Sequence, residues 1–161
     1  MESFKLHMSE NEIRAKTEHL RNELEAFIAF FGQALDYEKM VYEFWSAKDI
    51  LGHITFWHES FARNISDIGY GKKPNPLKGK LSEVNQRSVE ETKTETIGSL
   101  IDRLRNAQKI IEKFICQQNI QWIPYKKGSR DYSRREHIEI VTNHIHKHLS
   151  DLIKVYAAAK K

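Results

Sequence analysis

The chain has 161 residues, about one domain's worth by length, and 40% hydrophobic with 30% charged side chains suits a folded globular protein. Eight Phe, six Tyr and three Trp exclude a disordered chain, and the single cysteine, Cys116, excludes an intrachain disulfide. The net charge is only +4, from 26 Lys+Arg against 22 Asp+Glu, and no run approaches the ~18 apolar residues of a membrane span.

Seven Gly and three Pro are few, which favours helices over a turn-rich β fold. The opening residues, Met1 to Lys5, lack a basic region followed by an apolar stretch, so a cytoplasmic protein is expected. Residues 1–161 read as one domain.

Residues 9–36 predict a long amphipathic helix. Ile13, Leu20, Leu24, Phe27, Ile28, Phe31 and Leu35 recur at helical spacing, and Ser9 with Glu12 would form a capping box. Ser46 is the next N-cap candidate, with Asp49 near the positive helix end. From about Ala47 to Ile68 the stripe is Ile50, Leu51, Ile54, Trp57, Phe61 and Ile65, closed by Gly69-Tyr70-Gly71.

Residues 70–81 hold two prolines and two glycines and form a loop. Ser82 to Thr94 is polar and partly helical. A third long helix spans about Glu95 to Gln117, with Leu100, Leu104, Ala107, Ile111, Phe114 and Ile115 inward. Gly98 marks either a close packing point or a late start. Residues 118–132 are a second connection. Ser133 and Glu136 then predict a capping box for a last helix reaching about Ala158, with Ile138, Val141, Ile145, Leu149, Leu152 and Tyr156 as its stripe. Four long amphipathic helices predict an all-α four-helix bundle, with the Pro-rich segment as a long crossover.

Four of the eight histidines lie between residues 137 and 148. His144 and His148 are four apart, which puts both imidazoles on one helix face, within reach of one metal ion. At about 100° per residue, His148 falls inside the apolar stripe of the last helix and His144 at its edge. His53 falls at the edge of the second helix's stripe. If those two helices are neighbours, three inward imidazoles leave a fourth position open, the layout of a catalytic zinc-type site. Imidazole suits several divalent metals, zinc and nickel among them. His58 reads as a structural histidine, and His137 as too distant from His148 to share an ion. Asp49 either orients His53 or stabilises the helix start, the second being the commoner role. Trp45, Trp57, Trp122 and Tyr125 either line an apolar pocket or pack in the core. Two basic clusters, residues 72–80 and 126–135, read as solvated loops, because no nucleic-acid motif accompanies them. Cys116 reads as a partly buried, unreactive thiol.

The stretch Trp45-Ser46-Ala47-Lys48-Asp49-Ile50-Leu51-Gly52-His53, continuing through Trp57-His58, resembles the second helix of the DinB/YfiT-like superfamily. His144-Ile145-His146-Lys147-His148 is similar to the family's last-helix His-x-x-x-His element. The likeness runs from about residue 9 to residue 157. It implies a four-helix bundle, often dimeric, with a divalent metal on His53, His144 and His148. It also implies a small-molecule substrate, handled in related transferases and isomerases with a low-molecular-weight thiol such as glutathione, mycothiol or bacillithiol. Lys147 stands where the family often has the first of two adjacent histidines, and Leu149-Ser150-Asp151 replaces the usual basic-Gly-Gln run. Lys48-Asp49-x-Leu51-x-His53 also resembles the ClbS/DfsB-like branch, which includes a self-protection hydrolase but usually lacks the His-x-x-x-His pair. The alternative is therefore a metal-free ligand-binding bundle, and the pair favours the metal-binding side.

Overall fold

The computed structural model describes residues 2–159, with side chains from residue 10 onward. The elements run α1 (Glu2–Phe30), α2 (Ala47–Gly69), α3 (Leu81–Glu90), α4 (Ile97–Phe114), β1 (Trp122–Ile123), β2 (Tyr132–Ser133) and α5 (Arg134–Ala158). The four long helices form the bundle, and α3 lies within the crossover between α2 and α4. No described helix is long and apolar enough to cross a membrane.

Side-chain pairs fix the helix directions. Glu12 meets Arg135, Lys16 meets Glu139 and Glu23 meets His146, so α1 and α5 run parallel. Glu59 meets Arg103 and the Thr55 hydroxyl reaches the Leu100 carbonyl, so α2 and α4 are parallel too. Between the pairs, Arg21 meets Glu112 and Glu25 meets Arg105, which makes α1 antiparallel to α4. Phe61 packs on His137 while His53 meets His144, so α2 is antiparallel to α5. Two consecutive long helices that run parallel need a connection as long as the bundle. The Pro-rich loop and α3 supply it, as the sequence predicts.

Two helix starts follow their capping signals. Ser46 accepts from the Asp49 amide at 3.1 Å, and Asp49 accepts from the Ser46 amide at 3.0 Å. Ser133 and Glu136 repeat the exchange on α5. The helix predicted to begin at Ser9 instead begins at Glu2, so Ser9 lies within it and is no cap; its side chain is outside the described ones. That helix also stops at Phe30 rather than residue 36. The chain turns back there, Leu35 and Tyr37 fold onto the core, and the Phe30 carbonyl accepts from the Tyr37 hydroxyl at 2.7 Å and from the Gln33 side-chain amide at 3.2 Å. Gly98 marks a late start: Thr96 caps α4, and nothing crowds the glycine.

The core is apolar and continuous. Leu20, Leu24 and Phe27 of α1 share one buried cluster with Leu104 and Ile111 of α4, all at most 1% exposed. The most enclosed helix is α2, because α4, α5 and α3 cover three of its sides. The turn that follows α3 packs close enough to require a glycine: a Cβ on Gly52 would lie 2.0 Å from Thr92 Oγ1.

The β1–β2 hairpin does not appear in the sequence reading. Trp122 pairs with Ser133 and Ile123 with Tyr132, and buried Ile123 anchors the ribbon over α5. Arg134 corrects the reading of the second basic cluster as a solvated loop. It is buried, donates to the Ile115 and Gln117 carbonyls, and pairs with Glu10 at 2.8 Å. Arg130 and Arg135 pair with Glu136 and Glu12.

Candidate metal centre and adjoining cavity

The α2–α5 seam brings together the three histidines singled out in the sequence. His53 Nε2 lies 3.1 Å from His144 Nε2, and His148 Nε2 lies 3.0 Å from it. One ligand atom from each residue falls within 4.8 Å of the others. The helical i,i+4 spacing sets the His144–His148 pair, and the antiparallel α2 brings His53 opposite.

Two of the rings have their tautomers fixed by hydroxyl groups. Ser88 of α3 donates to the Asn85 carbonyl at 2.5 Å, so its oxygen accepts from His53 Nδ1–H at 2.9 Å. Tyr42, in the α1–α2 connection, donates to Asp151 at 2.6 Å, so its oxygen accepts from His148 Nδ1–H at 2.8 Å. Both Nε2 atoms therefore present lone pairs to the space beside His144 Nε2. A single proton on His144 can bridge only part of that repulsion. A divalent cation would relieve it, and separations of 3.0 and 3.1 Å approach the ~3.3 Å expected of imidazoles on one tetrahedral ion at ordinary Zn–N lengths. The donor set fits such an ion.

Burial keeps the cluster neutral. It pushes His144 and His148 down to about 4, with Lys147 adding to both and the His144 charge to His148, and it pushes His53 further down. Metal ligands require that neutral state. Trp45 packs against His53 with ring centroids 4.7 Å apart and shields it from water. Asp49 does not orient His53, because its carboxylate is held by the Ser46 amide in the capping box. Ser88 and Tyr42 are the orienting groups, and neither belongs to a sequence motif that would have marked it.

His144 also lines a cavity of about 490 Å³ between α2 and α5, roofed by α3 and the hairpin segment. Of the four aromatic residues considered as pocket lining, Trp57 and Tyr125 are there, stacked at 5.0 Å and 11°. Trp45 belongs to the histidine cluster instead, and Trp122 is exposed. His58 lines the cavity and bonds Gln108 at 2.7 Å, and His137 forms part of the same wall. Burial holds both neutral, each pushed down to about 4.

No protein-family model matches the sequence, and no curated protein matches it. Solved structures do match. The mycothiol-dependent maleylpyruvate isomerase superposes with a TM-score of 0.60 at 13% identity, and its histidine-to-alanine mutant with 0.60 at 11%. The fold is an all-α four-helix bundle with a long crossover connection, shared with that isomerase over the aligned region. The alignments cover 91% of this chain but 60% of the isomerase, so the chain spans about three fifths of that protein's length. At such identity the likeness concerns the fold.

Proposed function

We propose that residues 1–161 form one DinB/YfiT-like domain that holds a divalent ion, zinc or nickel, on His53, His144 and His148. It would act as a metal-dependent enzyme on a small molecule, of the thiol-transferase, isomerase or hydrolase type. The observation that carries this reading is the convergence of three neutral imidazoles, two of them with lone pairs turned inward by Ser88 and Tyr42, at the edge of a cavity. When bound, the ion would supply Lewis acidity and lower the pKa of a coordinated water or thiol. Meanwhile Ser88 and the Tyr42–Asp151 pair hold the rings in register, Trp45 keeps water off His53, and the cavity positions the reacting molecule. The resemblance to a mycothiol-dependent isomerase supports a low-molecular-weight thiol as co-substrate, and the family likeness supports a homodimer.

The test is metal content per chain on tag-free protein, before and after incubation with zinc or nickel. About one ion per chain is expected in the wild type and none in His148→Ala, with folding checked by circular dichroism. An absence of metal from both proteins would overturn the reading and favour the metal-free ligand-binding bundle.

A further inference from the structure

We infer that the two lysine-rich loops form one anion-binding rim on the cavity. The molecule taken there joins an apolar body, seated between α2 and α5, to a multiply charged oxyanion such as a phosphate ester, held outside by Lys80, Lys126 and Lys127. The inference rests on the proposed function only in taking the cavity as the place where the reacting molecule binds.

The two basic clusters are far apart in the chain, but the fold clasps them together. The Lys127 amide donates to the Leu77 carbonyl at 2.8 Å, which joins the α4–α5 connection to the crossover. Arg87 of α3 donates to the Lys78 carbonyl at 3.0 Å and ties the same loop down. Leu77 and Tyr125 both pack against the buried cluster of Phe56, Trp57 and Val84. The loops are therefore anchored where they meet.

Charge at this junction is one-sided. Residues 70–81 carry Lys72, Lys73, Lys78 and Lys80 and no acid, and residues 124–131 carry Lys126, Lys127 and Arg130 against Asp131 alone. Arg130 pairs with Glu136, and Glu83 accepts from the Lys80 amide. Among the described residues, the lysines that pair with carboxylates are Lys16 and Lys147, neither of them in these loops. Lys72 lies over the Tyr70 ring and Lys126 reaches the Lys127 carbonyl, contacts that leave both charges uncompensated. Six ammonium groups on two clasped loops repel one another, and an oxyanion between them would relieve that repulsion.

Position decides the kind of anion. Lys80 immediately precedes Leu81 and Lys126 immediately follows Tyr125, and Leu81 and Tyr125 both line the cavity. Behind them the wall is largely apolar, with Ile54, Trp57, Phe61, Val141 and Ile145, and none of its described residues is a carboxylate. Its charged lining residue, Lys147, is already paired with Asp151 at 3.6 Å. An anion held by the loops thus has an apolar chamber directly behind it. That suits one small molecule carrying both parts rather than a polymeric anion, which would use the loops and leave the chamber idle.

The test titrates 2-naphthyl phosphate, 2-naphthol and inorganic phosphate into the full chain by calorimetry, as purified and after EDTA treatment. At low salt the ester should bind about tenfold more tightly than 2-naphthol, several weak exposed ion pairs acting together, and inorganic phosphate more weakly than the ester. Raising NaCl from about 50 to about 300 mM should cut that preference to about threefold, because these charges face solvent. Lys80→Gln/Lys126→Gln/Lys127→Gln should bring ester and alcohol within about twofold while 2-naphthol affinity holds. The salt series on wild type stands whether or not that variant folds. A preference absent from wild type, insensitive to salt or retained in the folded triple variant would overturn the inference, as would no binding of either aromatic probe. Tighter binding of a short DNA duplex than of the ester, lost in the same variant, would overturn it in favour of a polymeric anion. A preference lost on EDTA treatment would place the phosphate on the metal, overturning this inference while supporting the three-histidine site, so the two readings can fail separately.

Discussion

The bundle has two antiparallel seams, and they are built on opposite terms. Along α1–α4, Leu20, Leu24, Phe27, Leu104 and Ile111 belong to one buried apolar cluster, and the charged pairs Arg21–Glu112 and Glu25–Arg105 stay at the surface. Along α2–α5, five histidines are wholly or largely buried and a cavity is left unfilled. Buried imidazoles and missing packing both cost stability. A sequence that tolerates them on one seam and avoids them on the other has separated the part that holds the fold from the part that carries the histidine cluster and the cavity.

Acid should produce the largest contrast. His58 and His137 titrate near 4 in the fold, against about 6.5 when unfolded. The unfolded chain then takes up protons first, so their contribution is intact above pH 6.5 and is lost as pH falls toward 4. Each is worth roughly 3 kcal/mol over that window. Thermal unfolding of chelator-treated protein should show Tm dropping steeply across it, and a flat profile would mean that the histidines are more hydrated than the structure has them.

Cutting the other seam should separate stability from binding. Leu20→Ala should cost about 2–5 kcal/mol in urea unfolding while leaving metal stoichiometry unchanged. Loss of metal in that variant would show that the two seams are coupled. The smallest effect tests the orienting groups. Ser88→Ala removes the acceptor for His53 Nδ1–H and should weaken metal binding by about 10–100-fold, measured by competition with a chromophoric chelator, with little change in Tm. Tyr42→Phe should do the same through His148. Unchanged affinity in both would leave the hydroxyls as mere packing.

How much of this was legible depended on whether a signal was local. Ser46–Asp49 and Ser133–Glu136 are contacts within one turn, so their spacing in the chain announces them. His144 and His148 share a face by helical geometry alone, and His53 needed only the assumption that α2 and α5 are neighbours. Helix α1 was misplaced at both ends, since its C-terminal stop is set by Tyr37 returning to the Phe30 carbonyl seven residues back. The hairpin was missed because two-residue strands carry no alternation. Ser88 and Tyr42 are 35 and 106 positions from their partners, and nothing in the adjacent sequence marks them. His137 did carry a signal: seven residues before His144, it sits on nearly the same face. That spacing argues only against a shared ion, because the cavity wall depends on Tyr125 and Phe61 packing against the ring from other elements.

Each of the three interhelical connections visits the same seam. The α1–α2 connection delivers Tyr42, the crossover delivers Ser88 and Asn85, and the α4–α5 connection delivers Tyr125. The imidazoles themselves stand on the rigid helices. Such a layout is modular: exchanging a loop could re-aim a ring, reshape the roof or alter what the cavity admits while the scaffold and its three nitrogens stay put. One bundle could in this way serve many different reactants, with selectivity rewritten in the segments that tolerate change most readily.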